Sequence, residues 1–299
     1  MAKQIDRREF LRLASVGGGV VFASGLAGCA TGMAGGAAQD DFYFVQLSDS
    51  HWGFSGPPNP DAAGTLQKAV ASVNALSTPP DFIMFTGDLT HTTDDGALRR
   101  KRLGEFKEIV SKLNVKTVRF IPGEHDASLD RGAAYREFFG NPTYSFTHKG
   151  VNFVTIDNVS DPTSSIGAEQ LEWLGKHLAT LDKSQKLVVF THRPLFNLAP
   201  TWDWATRDGA KAVELLKPFP NVTVFYGHIH QEHHHMTEHI PHHAAKSLIF
   251  PLPVALSQPS RTPLPWNKEQ PYSGLGWRGV QAKAGPSPVS ITEYPVIKA

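Results

Sequence analysis

Phe42-Tyr-Phe-Val-Gln-Leu47-Ser-Asp49-Ser-His51 is the stretch on which the reading of this chain turns. A short run of aromatic and aliphatic side chains is followed at once by an aspartate and a histidine two residues apart. Compact apolar runs bounded by turn residues are expected of strands buried on both faces. The same grammar returns at Phe82–Thr86, Thr117–Ile121, Val151–Ile156, Leu187–Thr191 and Val222–Tyr226. Between the runs, apolar residues recur at helical spacing. Leu66, Ala69, Val70, Val73 and Leu76 make one face, Leu103, Phe106, Val110 and Leu113 a second, and Leu171, Leu174, Leu178 and Leu181 a third. A fourth, shorter helix is expected over 209–217. Strands alternating with helices predict a layered α/β domain over residues 41–250. Beyond it, the many prolines of 251–299 exclude a long helix. That segment is expected to pack on the same domain, with short strands at Gly276–Ala282 and Val289–Tyr294.

The ends of the runs share one chemistry. They read Asp49-Ser50-His51, Gly87-Asp88, Gly123-Glu124-His125-Asp126, Thr191-His192 and Gly227-His228-Ile229-His230. In open α/β sheets, the loops beyond the carboxyl ends of the strands hold the ligand. Any one such histidine is most simply a hydrogen-bonded surface residue; five ends in sequence are a different matter. If the backbone stays extended, residues i and i+2 of Asp-x-His and His-x-His point the same way and can grip ions. Imidazoles and carboxylates without sulfur suit Fe, Mn or Zn. There are enough of them for two ions, an arrangement that clamps in-line displacement at phosphorus.

This ordered set, spanning residues 42–250, resembles the calcineurin-like metallophosphoesterases. The resemblance implies a four-layer α/β/β/α sandwich. It also implies that Asp49, His51 and His230 hold one metal, that His192 and His228 hold the other, and that Asp88 bridges them. A hydroxide between the metals would attack the phosphorus of a small phosphate ester, monoester or diester, while His125 would steady or protonate the leaving oxygen. The family usually has Asn where this chain has Glu124, so the second metal would meet a carboxylate. Asp49, Asp88, Glu124 and one hydroxide make four negative charges, an excess that would favour a trivalent ion such as Fe(III) or, alternatively, weaken the second site. A catalytically silent metal-binding or scaffold protein would be expected to lack ligands, and none is missing. An exported nuclease would need a basic groove laced with aromatics, which is not readable here.

Other residues carry weaker signals. His91, Asn158 and His233 are candidate substrate contacts. The histidine-rich stretch 228–243 is expected to be a polar loop leading into a strand at Ser247–Phe250, with metal loading or phosphate attraction as functional alternatives. Arg99-Arg100-Lys101-Arg102 is read as a solvated helix face, because Glu105 and Glu108 share its helix.

Composition bounds the rest. The chain has 299 residues, 29 basic against 28 acidic side chains, 40% apolar residues, 14 histidines and one cysteine. The near-neutral balance gives no global attraction for nucleic acid, and a lone cysteine excludes disulfide frameworks and thiolate metal sites. Residues 1–28 have a basic front, an apolar middle and a small-residue exit, the layout of an export signal. Arg7-Arg8-Glu-Phe10-Leu11 resembles the bacterial twin-arginine motif, which implies the twin-arginine export machinery as partner. Leu26-Ala27-Gly28-Cys29 resembles a lipobox, so the expected location is periplasmic or membrane-anchored through lipid on Cys29, with ordinary cleavage as the alternative. Eight glycines within residues 13–38 argue against a membrane-spanning helix. Residues 29–40 read as a small-residue linker.

Overall fold

Two mixed β-sheets face each other across a layer of phenylalanine. The structure, a computed structural model, describes residues 41–282 and 287–297. The export signal over 1–28, the linker over 29–40 and Cys29 lie outside the described residues. Among the described residues, no helix is long and apolar enough to cross a membrane.

The first sheet is built on β1 (Phe42–Leu47), β2 (Phe82–Thr86) and β3 (Val118–Ile121), which run parallel. The second contains β4 (Ser145–His148), β5 (Val151–Thr155), β6 (Leu187–Phe190), β7 (Val222–Tyr226), β8 (His233–Thr237) and β9 (Ile240–Ala244), in the order β4-β5-β6-β7-β9-β8. The segment after residue 250 returns to the first sheet as β10 (Gly276–Ala282) and β11 (Ser290–Pro295), with β10 antiparallel to β1. The helices are α1 (Ala62–Asn74), α2 (Gly96–Val110), the single turn α3 (Glu124–Ala127), α4 (Ala133–Phe139), α5 (Ala168–Ala179) and α6 (Gly209–Leu216).

The layering follows from alternation hidden inside continuously apolar runs. Phe42, Phe44, Phe82, Phe153, Phe190 and Phe225 point between the sheets. Phe44 stacks on Phe82 with centroids 5.1 Å apart and meets Phe190 and Phe225 edge-on at 5.5 Å. The alternate residues face outward. Val45, Leu47, Ile83 and Phe85 pack on Leu66, Val70 and Phe106 of α1 and α2. Val154, Val189 and Val224 pack on Leu174 and Leu178 of α5 and on Val213 of α6. Helices, sheet, sheet, helices: the expected α/β/β/α sandwich is the observed one. Polar clasps also cross the inner layer. Gln46 Nε2 donates to Thr86 Oγ1 at 3.0 Å and to the Tyr226 carbonyl at 3.1 Å. Buried Arg278 of β10 pairs with Glu293 at 2.7 Å and donates to the Ala244 carbonyl of β9.

One expectation is corrected. The histidine-rich stretch is not a loop but the β8–β9 hairpin, and β9 extends the parallel part of its sheet beside β7. His233 and His235 turn their half-buried side toward Phe196, and His242 is fully buried. Imidazole tolerates either side of a sheet, so hydropathy alternation was too weak to reveal the hairpin. Ser247–Phe250, in turn, is irregular. It is tied to the first strand's exit by Leu248 N–H donating to the Ser48 carbonyl at 3.1 Å.

Candidate metal centre

Parallel strands end on the same edge, so the loops after β1, β2 and β3 meet those after β6 and β7. Asp49 N–H donates to the Gly87 carbonyl at 3.0 Å, His51 N–H to the Asp88 carbonyl at 2.9 Å, and Gly227 N–H to the His192 carbonyl at 3.0 Å. The local backbone differs from the extended one expected. Asp49, His51, Asp88, His228 and His230 adopt φ of 54°, 43°, 48°, 67° and 55°. Left-handed backbone costs roughly 1–2 kcal/mol per residue for side chains of this kind. Convergence is therefore produced by strained turns, not by strand alternation. Close approach makes the glycines necessary: a Cβ on Gly123 would overlap the Asp88 carboxylate, and one on Gly227 would overlap Ser48 Oγ and crowd Asp49.

The ligand-type atoms form two adjoining groups, Asp49–His51–His230 and Asp88–Glu124–His192–His228. In the first, His230 Nε2 lies 3.3 Å from His51 Nε2 and 3.5 Å from Asp49 Oδ1. In the second, His192 Nε2 lies 2.9 Å from Glu124 Oε2 and 3.4 Å from Asp88 Oδ2, and His228 Nδ1 lies 3.0 Å from Glu124 Oε1. Bonds of about 2.0–2.2 Å to one transition ion would space ligand atoms by about 3.0–3.6 Å. Backbone carbonyls orient three of the rings. His230 Nδ1 faces Phe250 O at 2.8 Å, His192 Nδ1 faces Thr86 O at 2.7 Å and His228 Nε2 faces Asp203 O at 2.9 Å. Each carbonyl accepts the ring's N–H and leaves the other nitrogen's lone pair aimed inward. His192 is fully buried, and its Nε2 faces the carboxylates of Glu124 and Asp88, a setting that suits a shared metal. The donor set fits transition metals.

The electrostatics agree. Burial opposes charge on His192, but Asp88 and Glu124 outweigh it and push its pKa well above the usual value. Burial drives His51 well below its usual value, although Asp88 pulls the other way. Burial would raise Glu124, yet His228, Arg193 and His192 hold it well below the ordinary carboxylate range. Arg193, next to His192 in the chain, is a cation whose place at the site has no sequence signal. Its side chain is 4% exposed, with Nη2 3.7 Å from Glu124 Oε2 and Nη1 2.6 Å from Asp203 Oδ2. The extra carboxylate thus faces a cation of this chain, which reduces the charge excess that favours Fe(III).

His125 lies beside the groups with its ring 4.5 Å from that of His51. Thr92 N–H donates to His125 Nδ1 at 3.2 Å, which leaves the ring proton on Nε2. His91 completes a third cluster with His51 and His125, its Nδ1 3.4 Å from His51 Nδ1. The basic run is not merely solvated. Arg102 Nη1 donates to the carbonyls of His91 and Thr92 at 2.7 and 3.0 Å, and buried Arg99 pairs with Asp130 at 2.7 Å. Asp126 accepts from Gly123, Leu89 and Thr90 N–H at 2.9, 2.9 and 2.8 Å and from Thr90 Oγ1, fastening the Gly-Asp loop to the Gly-Glu-His loop. The Asp126 clasp has no sequence signal, because Leu89 and Thr90 lie more than thirty residues away.

Two candidate substrate contacts are corrected. Asn158 is fully buried; it donates to Arg193 O and Thr206 Oγ1 at 2.9 and 2.8 Å and accepts from His192 N–H at 3.2 Å. It is a brace for the His192 loop. His233 Nδ1 bonds to the Tyr226 hydroxyl at 2.9 Å and lines no part of the cavity over the ligand groups.

With this geometry in place, comparison with known proteins is decisive. The sequence model of the calcineurin-like phosphoesterases matches residues 42–232. The chain belongs to that family. A serine/threonine-protein phosphatase CPPED1 of Danio rerio is 27% identical over 218 residues, 64% of this chain and 70% of its own length. A probable glycerophosphodiester phosphodiesterase of Arcobacter nitrofigilis is 29% identical over 160 residues, 50% of this chain and 56% of its own. A purple acid phosphatase from yellow lupin superposes with a TM-score of 0.63 at 14% identity, covering 86% of this chain and 52% of that one. At such identity the last likeness bears on the fold alone. The calcineurin-like relatives named here are phosphatases and phosphodiesterases, and what each acts on belongs to it.

Proposed function

We propose that this chain is an exported two-metal phosphoesterase hydrolysing phosphate monoesters or diesters. The position of Asp88 carries the reading: its Oδ2 is 3.4 Å from His51 Nε2 of one ligand group and 3.4 Å from His192 Nε2 of the other. A carboxylate so placed could serve both ligand groups at once. On this reading Asp49, His51 and His230 would hold one ion and Glu124, His192 and His228 the other, with Asp88 placed to serve both, and Fe, Mn and Zn are all compatible with the donors. Bound there, the pair would lower the pKa of a shared water and offset charge on the phosphoryl oxygens. His125 supplies the acid: with Nδ1 occupied by the Thr92 N–H, its Nε2–H can be donated to the leaving oxygen. The cavity above the groups holds about 170 Å³. That is room for a phosphoryl group but for little of the alcohol, so the leaving group extends into solvent and its identity is weakly constrained.

Asp88→Ala should abolish metal binding and hydrolysis together. His125→Asn should keep the metals and lower kcat by about 10²–10⁴-fold. Metal analysis with a panel of monoester, diester and cyclic nucleotide substrates reads both, and full activity in the Asp88→Ala protein would sink the proposal. Export rests on Arg7-Arg8 and the apolar stretch after them, and lipid attachment on Cys29. Twin-arginine export carries folded proteins, so metal loading would precede crossing. Arg7→Lys with Arg8→Lys should retain the protein in the cytoplasm, and unchanged export by that route would refute this part.

A further inference from the structure

The family match ends at residue 232, but the cavity does not. One wall comes from the chain that follows: Phe250, Leu252, Arg261 and Pro263. Opposite them lie Asp88, Glu124 and the histidines. Among the described residues lining this cavity, Arg261 is the one lysine or arginine. None of the described residues gives its guanidinium an ion pair or hydrogen bond, whereas Arg193 pairs with Asp203 at 2.6 Å and faces Glu124 at 3.7 Å. A half-buried guanidinium beside a phosphoryl-sized cavity, its donors unpaired among the described residues, is arranged to meet an anion.

The strap that carries it is held in place. Gln231, next to His230, donates through Nε2 to the Leu252 and Pro253 carbonyls at 3.1 and 2.5 Å. Leu264 N–H donates to the Pro251 carbonyl at 3.0 Å. Pro259, Pro263 and Pro265 fix φ on both sides of Arg261 and reduce the entropy lost when it binds. The charge balance gives the cation a use. With Glu124 offset by Arg193, Asp49, Asp88 and a hydroxide would cancel three of the four charges brought by two divalent ions, so a dianionic ester gains from one more fixed cation.

We propose that Arg261 binds a phosphoryl oxygen of the substrate and biases the site toward dianionic phosphomonoesters over monoanionic diesters. This rests on the phosphoesterase reading above and deepens it by naming the substrate class. The test compares metal-loaded wild type, Arg261→Gln and Arg261→Lys on p-nitrophenyl phosphate and bis(p-nitrophenyl) phosphate, with inorganic phosphate as competitive inhibitor. Arg261→Gln should raise KM for the monoester about tenfold or more, as loss of a charge-assisted hydrogen bond does. It should weaken phosphate inhibition by the same factor, raise diester KM by a smaller factor and leave metal content unchanged. Arg261→Lys should recover part of the loss. Equal KM changes for both esters, or none for either, would overturn the proposal. If the wild type hydrolyses neither ester, the phosphoesterase reading has failed instead. Calorimetric titration of wild type and Arg261→Gln with phosphate then still decides the role of Arg261: equal affinities overturn it, and a tenfold difference upholds it.

Discussion

Removing Arg193 should have opposite effects on the metal-free protein and on its metal preference. At 3.7 Å, the Arg193–Glu124 attraction is about 4–5 kcal/mol for an effective dielectric near 20. Arg193 is shared with Asp203, and Glu124 with His192 and His228, so the coupling a mutant cycle isolates should be nearer 2 kcal/mol. Arg193→Met leaves two acidic partners without their cation, costing about 3 kcal/mol. For a domain of this size that lowers Tm by about 6 °C. Glu124→Asn in the same background removes the stranded carboxylate and should return about 4 °C, for the coupling above. Loaded with metal, the sign reverses. Without its guanidinium the site holds one more uncompensated negative charge, so Arg193→Met should bind divalent ions more tightly and take up more Fe(III) than wild type. Calorimetric melting of the metal-free proteins measures the first effect. Metal analysis with electron paramagnetic resonance, after growth on natural iron, measures the second. Stability changes that add within 0.5 kcal/mol, together with unchanged metal preference, would refute the compensation argument.

Three further outcomes follow from the packing and the charges. Phe44→Ala opens a cavity between the sheets where Phe44 meets Phe82, Phe190 and Phe225, and should cost about 3–5 kcal/mol in denaturant unfolding. Arg102→Met frees the loop whose Thr92 N–H orients His125; kcat should fall about tenfold with metal content unchanged, and the effect should vanish in a His125→Asn background. Burial would raise the Asp81 pKa, but hydrogen bonds from Lys149 at 2.9 Å and from Tyr43 N–H at 2.8 Å outweigh it and hold it below its ordinary value of 3.8. A depressed carboxylate stabilises above the unfolded value and loses that contribution as pH falls through the folded one. The stability gap between wild type and Asp81→Asn should therefore be full at pH 7 and shrink below about pH 4; a gap independent of pH would contradict the assignment.

Much of the architecture was readable because the strands are nearly pure in type. Phe42–Leu47, Phe82–Thr86, Val222–Tyr226 and Gly276–Ala282 begin and end where their composition says. The helices centred on Leu66, Phe106 and Leu174 follow their apolar faces, with starts several residues earlier than the first apolar position. The β8–β9 hairpin is hidden by its histidines, and the bracing role of Asn158 is hidden because a polar side chain at a strand end reads the same whether it faces a ligand or braces a loop.

The sequence by itself determined which side chains would meet, since Asp49, His51, Asp88, Glu124, His192, His228 and His230 all follow strands whose parallel order sends their exits to one edge. Only the tertiary structure decided how they are held and balanced. The left-handed turns, the carbonyls that orient the rings, the pairing of Glu124 with Arg193 and the arrival of Arg261 from the proline-rich strap all depend on groups distant in the chain. A local pattern can name a donor; the charge and hydrogen bond that set its behaviour come from whatever folding brings beside it.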